Sequence, residues 1–193
     1  MIDMNLMYED LPESIIVSGE EIPIQTDFRD YIRLIDMLGD AELFPNEKKY
    51  LVLQYFKKRP KDFGEALDAL TDFVVMGALK EDCDQEHSEE EELENQKMVY
   101  SFSYDYPYIF SAFIHDYNIN IRTIPYMHWW EFRMLFDGLS KDNEVKQRIM
   151  YRSIDLGDIK DKDERKRIEK IQRAIKLPED VLTDYDIGDA FEW

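Results

Sequence analysis

Acid–base or metal chemistry in this sequence would run through three imidazoles, His87, His115 and His128, the side chains whose ordinary pKa lies nearest neutrality. His87 lies within a run of acids and reads as a solvated residue. His128 and Glu131 stand at i and i+3, the reverse of carboxylate di-metal sites, where Glu precedes His. A histidine at a helix start beside two tryptophans reads instead as a packing or capping residue. His115 and Asp116 would supply a base with an orienting acid, but sequence neighbours on a helix point in different directions.

Covalent and nucleotide chemistry have less to stand on. Cys83 is the single cysteine, so neither an internal disulfide nor a framework of paired cysteines around a metal can form, and its acidic neighbours would not lower a thiol pKa. The seven glycines are scattered, with no G-x-x-x-x-G-K, G-x-G-x-x-G or G-x-S-x-G spacing. The run Glu89-Glu90-Glu91-Glu92 lacks the turn glycine and alternating ligands of a calcium loop. No catalytic residue, metal site or cofactor is expected; the enzyme reading rests on His115 or His128 alone.

Two features point to binding. Twelve of the 26 aromatic residues fall between Tyr100 and Phe132. Within this region Tyr126, Trp129, Trp130 and Phe132 form an aromatic centre, read first as core. Adjacent tryptophans cannot both face one core, so at least one is assigned to a groove or partner surface unless neighbouring helices cover both sides. The second feature is Lys160 to Lys176, with eight basic residues against four acids. Ile168, Ile171 and Ile175 give it a narrow apolar stripe, leaving Arg165, Lys166 and Arg167 as polar contacts for a partner.

Positioning these residues requires helices. Thr26 or Asp27 can cap a helix with apolar residues Phe28, Tyr31, Ile32, Ile35 and Leu38 and Gly39 as its stop. Pro45 opens a second helix through Phe56, and Pro60 closes it before a third containing Leu67, Leu70, Phe73, Val74 and Met76. Tyr106, Ile109, Phe110, Phe113 and Tyr117 stripe another helix, and Tyr126 to Phe136 form the next. Ser140 can cap one through Val145, Ile149 and Met150, and a last runs from Lys162 to Lys176 before Pro178. Strand signal is confined to Ile15–Val17 and Ile22–Ile24 around a Ser-Gly-Glu-Glu turn, a short N-terminal β-hairpin. The fold class is therefore mainly α, a multi-helix globular protein. Its divisions are a hairpin and helical half over 1–79, an acidic linker over 80–97 with nine acids against two lysines, and an aromatic-rich helical half over 98–193.

The 193 residues suffice for a sizeable core, and 13% aromatic content excludes a disordered chain. A formal net charge of −19 repels nucleic acid and anionic lipid, so neither is expected as a partner. No signal peptide or run of 18 apolar residues occurs, and a reducing cytoplasm is the expected location.

Four blocks together carry a resemblance: Thr26-Asp27-Phe28-Arg29; Ser103-Tyr104-Asp105-Tyr106-Pro107-Tyr108 with the helix that follows; His128-Trp129-Trp130-Glu131-Phe132; and Ile149-Met150-Tyr151-Arg152 followed by Asp161 to Lys166. They resemble the gene-product-fifteen family of long-tailed phages and prophages of Gram-positive bacteria, in the same order over most of the chain. The family is encoded between the tail-tube and tape-measure genes. The resemblance implies a non-enzymatic tail assembly chaperone of the host cell cytoplasm, binding the tape-measure protein before tail-tube polymerisation, with a companion chaperone as a further partner. The alternative is a stoichiometric structural or connector component of the tail. Oligomeric state is left open.

Overall fold

The computed structural model describes residues 6–40, 42–77 and 99–178. Near the N-terminus, Ser18 and Gly19 both take positive φ, 52° and 73°, the two-residue geometry whose twist matches paired antiparallel strands. They join β1 (Ser14–Val17) to β2 (Glu20–Pro23), with Ile15 opposite Ile22 and Val17 opposite Glu20. The turn is tighter than the four residues expected, because Glu20 and Glu21 already pair in β2. Ile15, Val17 and Ile22 are buried, while Ile16 points outward on the alternate pleat.

Three helices follow. α1 (Phe28–Gly39) starts where Asp27 accepts the Arg29 N–H at 2.9 Å, and it buries Phe28, Tyr31, Leu34, Ile35 and Leu38. α2 (Pro45–Val52) has Pro45 in its first turn and tightens into a 3₁₀ turn over Leu53–Tyr55, ending sooner than expected. Phe56 leaves that turn in extended conformation to bridge Ile24. α3 (Phe63–Val74) is capped by Asp62. Glu65 in its first turn accepts the Ser18 N–H at 2.6 Å and the Ser18 hydroxyl at 2.5 Å, holding the hairpin turn against the helix.

Beyond the acidic segment, which lies outside the described residues, come α4 (Tyr106–Tyr117), α5 (Trp129–Asp137), α6 (Glu144–Ser153) and α7 (Lys162–Ala174). α4 stops at Asn118, which enters the left-handed region at φ 54° as a helix-terminating residue. Seven helices and one hairpin thus make up the described residues, a mainly α protein with a small β element.

The chain gathers into two compact units. The first comprises residues up to 77 together with Pro125–Met134; the second comprises residues 99 to Ile124 and Leu135 to 178. The segment with Tyr126, Trp129, Trp130 and Phe132 therefore groups with the N-terminal elements.

The second unit centres on a buried ion pair. Arg152, on α6, donates to Asp105 through Nη1 at 2.6 Å and Nη2 at 2.9 Å, and both side chains are at most 3% exposed. The same guanidinium donates to the carbonyls of Val99 at 3.0 Å and Ile175 at 2.7 Å. It therefore ties together the segment leading into α4, the α4 N-terminus and the residue that ends α7. Tyr100, Phe102 and Phe136 pack as a trio of rings with centroids 5.1 to 5.2 Å apart. Replacing Arg152 by Met leaves the Asp105 carboxylate buried without its cation, and urea denaturation is expected to show a loss of about 3–5 kcal/mol. Adding Asp105→Leu to that variant should recover part of the loss, because breaking such a pair is costlier than deleting it.

Candidate functional site

The aromatic segment is positioned by a junction of two helix starts. Phe28, first in α1, donates its N–H to the Met127 carbonyl at 3.0 Å, and Trp129, first in α5, donates its N–H to the Thr26 carbonyl at 2.8 Å. Each helix so satisfies one of the other's orphan N-terminal donors. The bridge pairs Asp27 with His128, and the Thr26 hydroxyl lies 2.8 Å from the Tyr126 hydroxyl.

His128 is the side-chain cap of α5. Its Nδ1 accepts the Trp130 N–H at 3.0 Å, which places the proton on Nε2, and Nε2 donates to the Pro12 carbonyl at 3.0 Å. Burial pushes its pKa below the ordinary 6.5, against the opposing pull of the Pro12 carbonyl, Glu131 and Glu13. Both nitrogens are occupied by backbone, so the imidazole is a capping residue. α5 begins three residues after Tyr126 because this cap, a side-chain type outside the usual set, sets the start.

Both tryptophans face protein. Trp129 Nε1 donates to the Val74 carbonyl at 2.9 Å and Trp130 Nε1 to the Phe73 carbonyl at 2.8 Å, two carbonyls at the end of α3. Trp129 stacks on Tyr31 at 5.4 Å and on Phe132 at 6.0 Å, while Trp130 lies against Phe73 at 5.5 Å. Phe132 stacks on Phe28 at 4.6 Å. Trp129, Trp130 and Phe132 are all at most 2% exposed, so in this conformation none offers surface to a partner. The tryptophan-lined groove expected from their adjacency is absent here, since elements on both sides cover the pair. Tyr126 differs: it is 51% exposed.

Arg165, Lys166 and Arg167 are all exposed on α7. Asp161 caps this helix by accepting the N–H groups of Asp163 and Glu164, Ile168 is buried, and Ile171 and Ile175 are half-buried on the same face. Helical spacing places Lys162, Lys166, Lys170 and Arg173 along the opposite, solvated side, with Arg165 and Arg167 on its two flanks. Arg167 is turned off that stripe, 4.0 Å from Glu164.

His115 and Asp116 do meet, with Nδ1 2.7 Å from Oδ1, although consecutive on a helix. The imidazole is 76% exposed. The carboxylate also accepts the Ser140 N–H at 2.8 Å and the Asn143 amide at 2.6 Å, so Ser140 is spent on α4 rather than on capping α6. The Ser140 N–H and His115, with further help from Asn143, hold Asp116 down to about 2. Among the described residues no group of His, Cys, Asp and Glu could hold a metal ion, and no helix is long and apolar enough to cross a membrane. The Asp105–Arg152 pair escaped the sequence reading because 47 residues separate its partners.

Two pH responses follow. The fold favours neutral His128 while the unfolded chain protonates it, so its contribution is complete above pH 6.5 and lost as pH falls through the depressed folded value. A His128→Asn variant keeps an acceptor that does not titrate; thermal melts between about pH 7.5 and 5 should show wild type losing stability relative to it. Asp116 contributes fully above 3.8 and loses its contribution as pH falls toward about 2. Asp116→Asn should therefore lower stability at neutral pH and flatten the acid limb of the curve in the same melts.

Compared with known proteins, the chain matches the family model described as bacteriophage Gp15 protein over residues 7–177. No curated protein and no solved structure gives a significant match. Because the matched span takes in the hairpin, all seven helices, the capping junction and the Asp105–Arg152 pair, the chain belongs to the bacteriophage Gp15 protein family.

Proposed function

We propose that this protein is a tail assembly chaperone that holds the phage tape-measure protein in the host cell cytoplasm before the tail tube polymerises around it. The observation that carries the reading is membership of the bacteriophage Gp15 family, a phage structural family and not a known enzyme class. The geometry adds contact chemistry. Lys166 stands on the solvated stripe of α7 with Arg165 and Arg167 on its flanks, and all three, exposed, supply cations to a partner's polar groups. Tyr126 supplies an exposed ring, while Trp129, Trp130 and Phe132 act indirectly by holding α5 and its start in place. A companion chaperone would share the same partner.

Co-expression with the neighbouring tape-measure gene tests this reading. The expected result is a soluble complex recovered by affinity capture, weakened by Arg165→Glu with Lys166→Glu and Arg167→Glu, and weakened further as salt rises. Unchanged tape-measure solubility with no complex overturns it. Recovery of the protein from purified virions at fixed copy number would make it a stoichiometric tail component instead.

A further inference from the structure

We propose that the basic stripe of α7 and the cavity at its C-terminal end form a docking surface for an acidic helical segment of a partner polypeptide, whose carboxylates meet the stripe while one apolar side chain enters the cavity. This deepens the chaperone reading and rests on it for the existence of a polypeptide partner. Every residue involved lies in the second unit. Lys162, Lys166 and Lys170 are exposed, and among the described residues none of the three makes an ion pair. Arg173, the last of the row, pairs with Glu169 at 2.5 Å. Stepping by four residues, the lysines repeat about every 6 Å along the helix. Carboxylates on every fourth residue of a second helix repeat at the same interval, so a segment lying along α7 can meet several cations in one register.

The cavity sets what else the segment must carry. It is about 290 Å³ and is bordered by Arg152, Leu156, Gln172 and Leu177, with Arg173 shared between cavity and stripe. Drug-sized ligands occupy about 300–1,000 Å³, so this volume suits an amino-acid side chain. Leu177 is buried and Leu156 half-buried, which selects an apolar one. Gln172 asks for no polar group, because its amide nitrogen already donates to the Tyr151 and Ile154 carbonyls, both at 2.8 Å. Arg152, buried, engages four of its five N–H groups with Asp105, Val99 and Ile175. One Nη2 hydrogen is left without a protein acceptor among the described residues, and a carbonyl or carboxylate of the segment can supply it. Single exposed ion pairs contribute little, so the buried side chain provides most of the affinity while the charges select and orient the segment.

Titration of the isotope-labelled full chain with synthetic helix-stapled peptides, followed by amide and leucine-methyl NMR, tests this. The parent peptide is alanine with glutamate at every fourth position; two others add a leucine beyond the last glutamate at one end or the other, so that both chain directions are sampled. One leucine peptide is expected to shift the Leu156 and Leu177 methyls together with the α7 amides and to bind about tenfold or more tightly than the parent. Its affinity should fall several-fold as salt rises to about 0.5 M. Leu156→Phe, which fills the cavity, should remove the leucine advantage and leave the parent's binding unchanged, whereas Lys166→Glu with Lys170→Glu should weaken all three peptides. Equal binding with and without leucine, shifts away from α7 and these two methyls, or insensitivity to either variant overturns the inference. Peptide binding without a tape-measure complex removes the chaperone and leaves the surface; a tape-measure complex unaffected by both variants removes the surface and leaves the chaperone.

Discussion

Helix starts leave backbone donors that must find acceptors, and in the first unit two helices meet that requirement through each other. The bonds from Phe28 to Met127 and from Trp129 to Thr26 commit Asp27 and His128 to an antiparallel bridge. Once α5 is set at that angle, its first two residues fall against the end of α3, at the carbonyls of Phe73, which keeps a bond from the Met76 N–H at 3.3 Å, and Val74. The indoles answer both. A helix N-terminus and a helix C-terminus are thereby satisfied by one dipeptide, Trp129-Trp130. The burial of Tyr31, Phe28 and Phe132 around it supplies the apolar area that makes this arrangement favourable.

The second unit solves a similar problem with charge. Asp105 stands just before α4, where a carboxylate complements the positive end of the helix, and its burial would be costly without Arg152. Arg152 suits the role because its planar fork makes four hydrogen bonds at once. A lysine there could neutralise the acid but could not reach the Val99 and Ile175 carbonyls with the same fixed geometry. Asp116 is the half-buried counterpart. It holds the loop after α5 through Ser140 and Asn143.

What the sequence revealed depended on how far apart the interacting residues lie. The α1 stripe, the Asp27 cap, the α4 stripe and the solvated basic residues of α7 are legible because spacing and local capping decide them. Ser140 misled because its partner Asp116 is 24 residues away, so a good capping residue was engaged elsewhere. The α5 start was misplaced because its signal is a histidine nitrogen accepting one N–H, which composition does not advertise. The tryptophan pair defeated the one-core argument for a related reason. Adjacent side chains diverge, but the carbonyls of Phe73 and Val74 diverge with them, so two neighbouring indoles can both be satisfied by one helix end. For the site, exposure of Arg165, Lys166 and Arg167 was readable from helical spacing, whereas their division into stripe and flank required the helix itself.

The charge distribution narrows the chemistry that α7 can receive. At physiological salt the field of an exposed charge decays over about 8 Å, so a molecule approaching from farther away meets the anionic whole before it meets the basic stripe. A polyanion such as nucleic acid is repelled in that outer region and gains its attractive contacts only at close range. A segment with clustered carboxylates among apolar residues carries less charge to repel and can exchange apolar area as well as ion pairs. An acidic surface around a basic helix therefore repels densely charged ligands at a distance, and cations on that helix attract carboxylates only at contact.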